Sequence, residues 1–165
     1  MNNAEVSAAL AGLFTELVAG TKESRGSFIL NSGDVGLLRS LDKLTALDAS
    51  HSVNDGATIA AHAQHLRFGL SLMNRWAVEG GDPFADPTWD EAWTTFAVDE
   101  PQWETIRNEL REQSDRWVHV LKTARELTDV ELTGMIGSIA HVAYHLGAIR
   151  QITKAARGPR GGTFT

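Results

Sequence analysis

His141 and His145 stand four residues apart, which on a helix turns their side chains only about 40° from one another on a single face. Two imidazoles so placed can ligate one ion. Gly134, Gly137, Ser138, Ala148 and Ile152 share that face, so it is small or apolar rather than solvated, and both rings should point inward with room for an ion beside them. Earlier in the chain, Gln64, Arg67, Ser71, Asn74 and Arg75 form a polar helical face and leave His62 and His65 on the other side. His65 lies amid Thr58, Ala61, Phe68, Leu72 and Trp76, and His62 lies nearer Ile59, Leu66 and Met73; these residues alone do not choose between the two. Inward histidines can also be core residues hydrogen-bonded to ordinary partners. Three or four of them on two facing helices, with few Asp, Asn or Ser nearby, strain that account, whereas a shared ion satisfies all of them. His51 and His119 read as loop and helix-surface residues.

The chain has no cysteine. It can therefore supply neither a disulfide nor a thiolate, and any metal must be held by His, Asp or Glu. A thiol taking part in its chemistry must arrive on a cofactor or substrate. The net charge of −6 argues against nucleic acid as a partner, since such proteins offer clustered Lys and Arg to phosphates. The one basic cluster, Arg157 to Arg160, lies in a Gly-rich tail. No segment approaches the roughly 18 consecutive apolar residues of a membrane span, and Met1–Glu5 lacks the basic and apolar regions of a secretory leader. A cytoplasmic protein without a membrane partner is expected.

At 165 residues the chain suits one domain, read here as 1–156 with a flexible tail at 157–165. Leu10, Leu13, Phe14, Leu17 and Val18 recur at helical spacing and predict a first helix over 3–21. Leu37, Leu38, Leu41, Leu44 and Leu47 mark a shorter amphipathic segment. Asn54, Asp55 and Gly56 precede an apolar-rich helix over about 58–78, which Gly80, Gly81 and Pro83 end. Residues 80–97, with two prolines, Trp89 and Trp93, read as a long packed connection of the kind that often carries function. Asp99, followed by Pro101 and Gln102, predicts the cap of a long helix through Leu121. Thr128 with Glu131 has the capping-box pattern before a last helix to about Ala156. Phe28–Leu30 could be a strand, but one strand makes no sheet. The pattern predicts an all-α four-helix bundle with a long crossover connection and short accessory helices.

The run from Gly137 to Ile152, with His141, His145, Gly147 and Ile149 in the order H-x3-H-x-G-x-I, resembles the signature of the DinB-like (DinB/YfiT-like) superfamily. In that family a third histidine follows a Ser or Thr near the start of the second bundle helix by about seven residues, as His65 follows Thr58. The resemblance thus implies metal ligands His65, His141 and His145, and favours His65 over His62. It further implies a four-helix bundle of unusual connectivity, often a homodimer, holding a divalent ion, usually zinc or nickel. Characterised members include transferases and isomerases that use low-molecular-weight thiols, so the resemblance implies a metal-dependent enzyme, such as a thiol-dependent S-transferase or related hydrolase. A non-catalytic, stress-related metal- or ligand-binding bundle is the alternative. Many members carry Arg or Gln just after the second histidine; here Leu146 and Ala148 stand there, with Arg150 further on. Glu16, Asp42, Asp90 and Glu91 are the carboxylates that could approach the site, each more simply read as surface charge. Tyr144 and Trp76 read as packing residues that could also line a pocket.

Overall fold

In a computed structural model, which describes residues 2–21, 27–82, 85 and 92–159, the chain is all-helical, with no strand among the described residues. The elements are α1 (Asn3–Ala19), α2 (Gly36–Leu41), α3 (Ala46–Ala49), α4 (Ile59–Glu79), α5 (Glu100–Lys122) and α6 (Asp129–Ile152), followed by a 3-10 turn at Lys154–Ala156. The four long helices each pack on two others, in the order α1, α5, α4, α6 and back to α1.

Local chemistry sets the helix starts. The side chains of Asn2, Thr45, Asp99 and Thr128 accept the backbone N–H three residues on, and each capping box is closed by the side chain of Glu5, Asp48, Gln102 or Glu131. Donors that a helix start leaves unpaired are thereby satisfied. Thr58 opens α4 by accepting from Ala61 N–H at 3.2 Å, which fixes where along the helix His62 and His65 fall.

The amphipathic segment expected over 37–47 is two helices, because the Thr45–Asp48 box restarts the chain after Asp42 and Lys43 turn it. The last α-helix stops at Ile152 rather than near 156, since Thr153 is extended (φ −134°, ψ 138°) and its hydroxyl caps the following turn. Phe28–Leu30 is a bend. The Glu16 carboxylate accepts from the backbone N–H groups of Phe28, Ile29 and Leu30, the last two at 2.7 Å.

The core centres on side chains with almost no exposure, among them Phe14, Leu17, Leu66, Leu110, Trp117 and Leu146. Burying each such side chain contributes on the order of 2 kcal/mol. The two most buried indoles also find acceptors, Trp103 Nε1 at the Leu44 carbonyl and Trp117 Nε1 at Ser138 Oγ, both at 2.8 Å. Behind the C-terminal end of α6, Arg150 Nη2 donates to the buried Asp34 carboxylate at 2.7 Å, which also accepts Gly36 N–H at 2.8 Å. Gly158 lies so close to this pair that a Cβ there would overlap the Asp34 carboxylate.

A candidate metal centre between two helices

α4 brings His62 and His65, and α6 brings His141 and His145, to one place between the two helices. They lie close because the flanking contacts are small: Gly69 faces the His141 ring, and the Trp76 ring lies over Gly134. A Cβ at Gly134 would stand 2.9 Å from Trp76 Cζ3, too near for any side chain without moving the indole. Trp76 therefore packs against α6 and does not wall the histidines. It lines a hollow of about 440 Å³ with Gly81, Asp82, Asp129, Val130 and Thr133.

His65, His141 and His145 form a group whose ligand atoms all lie within 4.8 Å of one another, and this group could hold a metal ion. His141 Nε2 is 3.1 Å from His65 Nε2 and 2.9 Å from His145 Nε2. An ion with bonds of 2.0–2.1 Å to three nitrogens in tetrahedral directions sets them about 3.4 Å apart, so the rings need part by only a few tenths of an ångström. The donor set fits a borderline divalent metal, which neutral imidazoles suit.

Hydrogen bonding alone serves the trio poorly. The single Nε2 of His141 carries either one proton or one lone pair, yet faces two other ring nitrogens. No carboxylate among the described residues belongs to the group.

His62 enters differently. Its Nδ1 lies 2.8 Å from Nδ1 of His145, on the far side of that ring from the trio. Trp93, from the connection before α5, closes the site from above: its ring stacks on His65 with centroids 4.2 Å apart and meets His62 edge-on at 5.6 Å. The sequence placed Trp93 in a packed connection without linking it to the histidines. Tyr144 is 69% exposed and meets the His145 ring edge-on at 5.0 Å.

Glu16 is occupied by the 28–30 backbone, as above. Asp42 pairs with Arg111 at 2.8 Å and Arg107 at 3.6 Å. Asp90, Glu91 and Trp89 lie outside the described residues. His51 and His119 are exposed.

Burial disfavours charging these rings. It brings His145 down to about 3, with His141, His62 and His65 adding repulsion, and His65 down to about 4, with His141 and His62 adding to it. His62 and His141 are lowered by burial as well. Because the folded values lie below the unfolded value of 6.5, the unfolded chain binds more protons in acid. Stability from this source is complete above pH 6.5 and is lost as pH falls from there through 4 toward 3. Metal-free protein should lose about 2 kcal/mol of unfolding free energy for each of these two histidines between pH 7.5 and pH 5. Urea midpoints at the two pH values measure this, and equal midpoints would refute it.

No family model matches the chain, and no curated protein or solved structure matches it significantly. Fold and site thus define the class: an all-helical protein with a buried three-histidine group able to hold a metal ion.

Proposed function

We propose that the chain is a metal-dependent enzyme of the DinB-like type, a four-helix bundle in which His65, His141 and His145 bind a divalent ion, zinc or nickel. The observation that supports this reading is the convergence of the Nε2 atoms of His65, His141 and His145, with His141 Nε2 facing two other ring nitrogens while it can make only one ordinary hydrogen bond as donor or acceptor. A divalent ion with open positions lowers the pKa of a water or thiol placed there. Three neutral ligands leave its charge uncompensated, which favours an anion in the open position, in keeping with the thiolate of a low-molecular-weight thiol.

Untagged protein should copurify with, or take up, about one equivalent of a transition metal. Less than about a tenth of an equivalent, with no binding on titration, ends the reading. A panel of thiols with electrophilic acceptors then separates enzyme from binding protein: turnover lost in His141→Ala supports catalysis, and equal background rates in both support the non-catalytic alternative.

The chain is also proposed to pair with a second copy through α1 and α6. Among the described residues one helix, α6, is long and apolar enough by length and composition to cross a membrane, with a mean hydropathy of 1.2 over 18 residues. This is nearer to a span than the sequence reading allowed, because scattered Ile, Val, Leu and Ala residues raise the average although Gly, Ser, Thr and His interrupt any continuous apolar run. Yet only 39% of that window is buried. Thr133, Ile136, Gly137, Ala140, Tyr144 and Gly147 face outward, beside Ala4, Ala8, Ala9 and Gly12 of the adjoining α1, while α5 presents Glu104, Glu112, Asp115, Arg116 and Lys122. Small residues let helices approach closely, whereas a lipid-facing helix needs bulky apolar groups flanked by Lys and Arg. Two helices about 9 Å apart and some 30 Å long offer roughly 600 Å² in projection, near the ~800 Å² per partner of a standard interface. Light scattering should give twice the chain mass of 17.9 kDa, falling to a monomer on Ala140→Glu. A monomeric wild type refutes the pairing.

A further inference from the structure

We infer that His62 is the outer partner of the centre and not a fourth ligand: its Nδ1 accepts the Nδ1 proton of His145, and this holds His145 with its Nε2 lone pair toward His65 and His141. The inference rests on the three-imidazole metal reading and adds to it the residue that orients one ligand.

The two Nδ1 atoms are 2.8 Å apart in rings tilted 62° to one another, and His62 and His145 are 8% and 1% exposed. At that separation one proton lies between the two nitrogens. A neutral imidazole carries its proton on one nitrogen only. With the proton on Nδ1, His145 offers Nε2 to an ion; with the proton on Nε2, it points an N–H at His141 Nε2 and closes the centre. An acceptor at Nδ1 selects the first arrangement, and His62 must then carry its own proton on Nε2. Its accepting nitrogen faces the back of His145, across that ring from where the three Nε2 atoms meet, so the geometry that makes it a good acceptor removes it from the ligand set.

Ligating histidines usually donate to a carboxylate, a carbonyl or water. An imidazole in that role is neutral, so it orients the ligand without adding negative charge to the site. Trp93 helps to hold it there, edge-on to His62 while stacked on His65.

The test compares full-length wild type, His62→Leu and His62→Asn, whose Oδ1 can replace the accepting Nδ1. Zinc affinity is read by competition with a chromophoric chelator, and coordination from the visible spectrum of the cobalt-loaded proteins. His62→Leu should weaken zinc about 10- to 100-fold, His62→Asn should stay within about threefold of wild type, and all three cobalt spectra should agree. In zinc-loaded wild type, imidazole nitrogen NMR should show His145 protonated at Nδ1 and His62 at Nε2, a readout that needs no variant to fold. Unchanged affinity in His62→Leu, equal losses in both variants, or a cobalt spectrum in His62→Leu showing one nitrogen ligand fewer would overturn the inference. If wild type itself binds no metal, the three-imidazole reading falls first, and that failure is distinct from any of these.

Discussion

His145→Ala should lower zinc affinity by at least about 100-fold and leave no stoichiometric site in a chelator competition. A zinc site bound by some 10 kcal/mol or more through a few protein ligands loses roughly 3 kcal/mol with each of them, or about two powers of ten. Of the three, His145 has most to lose. It is 1% exposed, and its ring joins His141 on one side to His62 on the other, so its removal also leaves His62 without the ring it orients. Truncation leaves a small cavity, but it also removes a buried polar ring, so the metal-free variant should fold with stability within about 2 kcal/mol of wild type. An affinity within threefold of wild type would show that the ion, if bound, is held elsewhere.

The second large effect concerns the frame. Asp34→Ala should cost about 3 kcal/mol, because it leaves Arg150, whose side chain is 18% exposed, without its counter-charge and Gly36 N–H without its acceptor. For a chain of this size that lowers the melting temperature by roughly 6–12 °C. The pair sits at the far end of the helix that carries His141 and His145. It ties that end to the loop before α2, with the Gly158 backbone lying against it. A loss under 1 kcal/mol in urea or thermal unfolding would mean that the pair contributes little.

What could be read from the sequence divides along the distance over which each signal acts. The caps at Asp99 and Thr128 were legible because donor and acceptor are three residues apart. The same pattern at Thr45 and Asp48 was passed over beneath the leucine periodicity of 37–47, and it is what divides that segment. The inward placement of His145 followed from the face it shares with Ser138, whereas His141 is only part-buried and Gly137, read as part of the same face, is exposed. The choice between His65 and His62 did not follow from any helical face, since the structure brings both rings to the site and separates them by their partners: His65 meets His141 Nε2, and His62 meets His145 Nδ1. Trp93 over His65, and Arg150 with Asp34, join residues far apart in the chain and lacked any local mark. Glu16 was visible as a carboxylate, but its capture by the 28–30 backbone depends on a bend that the sequence suggested might be extended.

The two histidine pairs come from helices whose contacts span 76 to 83 residues of chain, in a protein without a single cysteine. Closing a loop of that length in an unfolded chain costs about 4 kcal/mol of chain entropy. Packing of α4 against α6 has already met that cost before any ion arrives. The folded protein should therefore bind metal several hundred-fold more tightly than the same histidines in the unfolded chain, and by linkage a saturating ion stabilises the fold by as much as about 4 kcal/mol. The centre would then act as a removable cross-link: a chelator would do to this protein what a reductant does to a disulfide-bonded one.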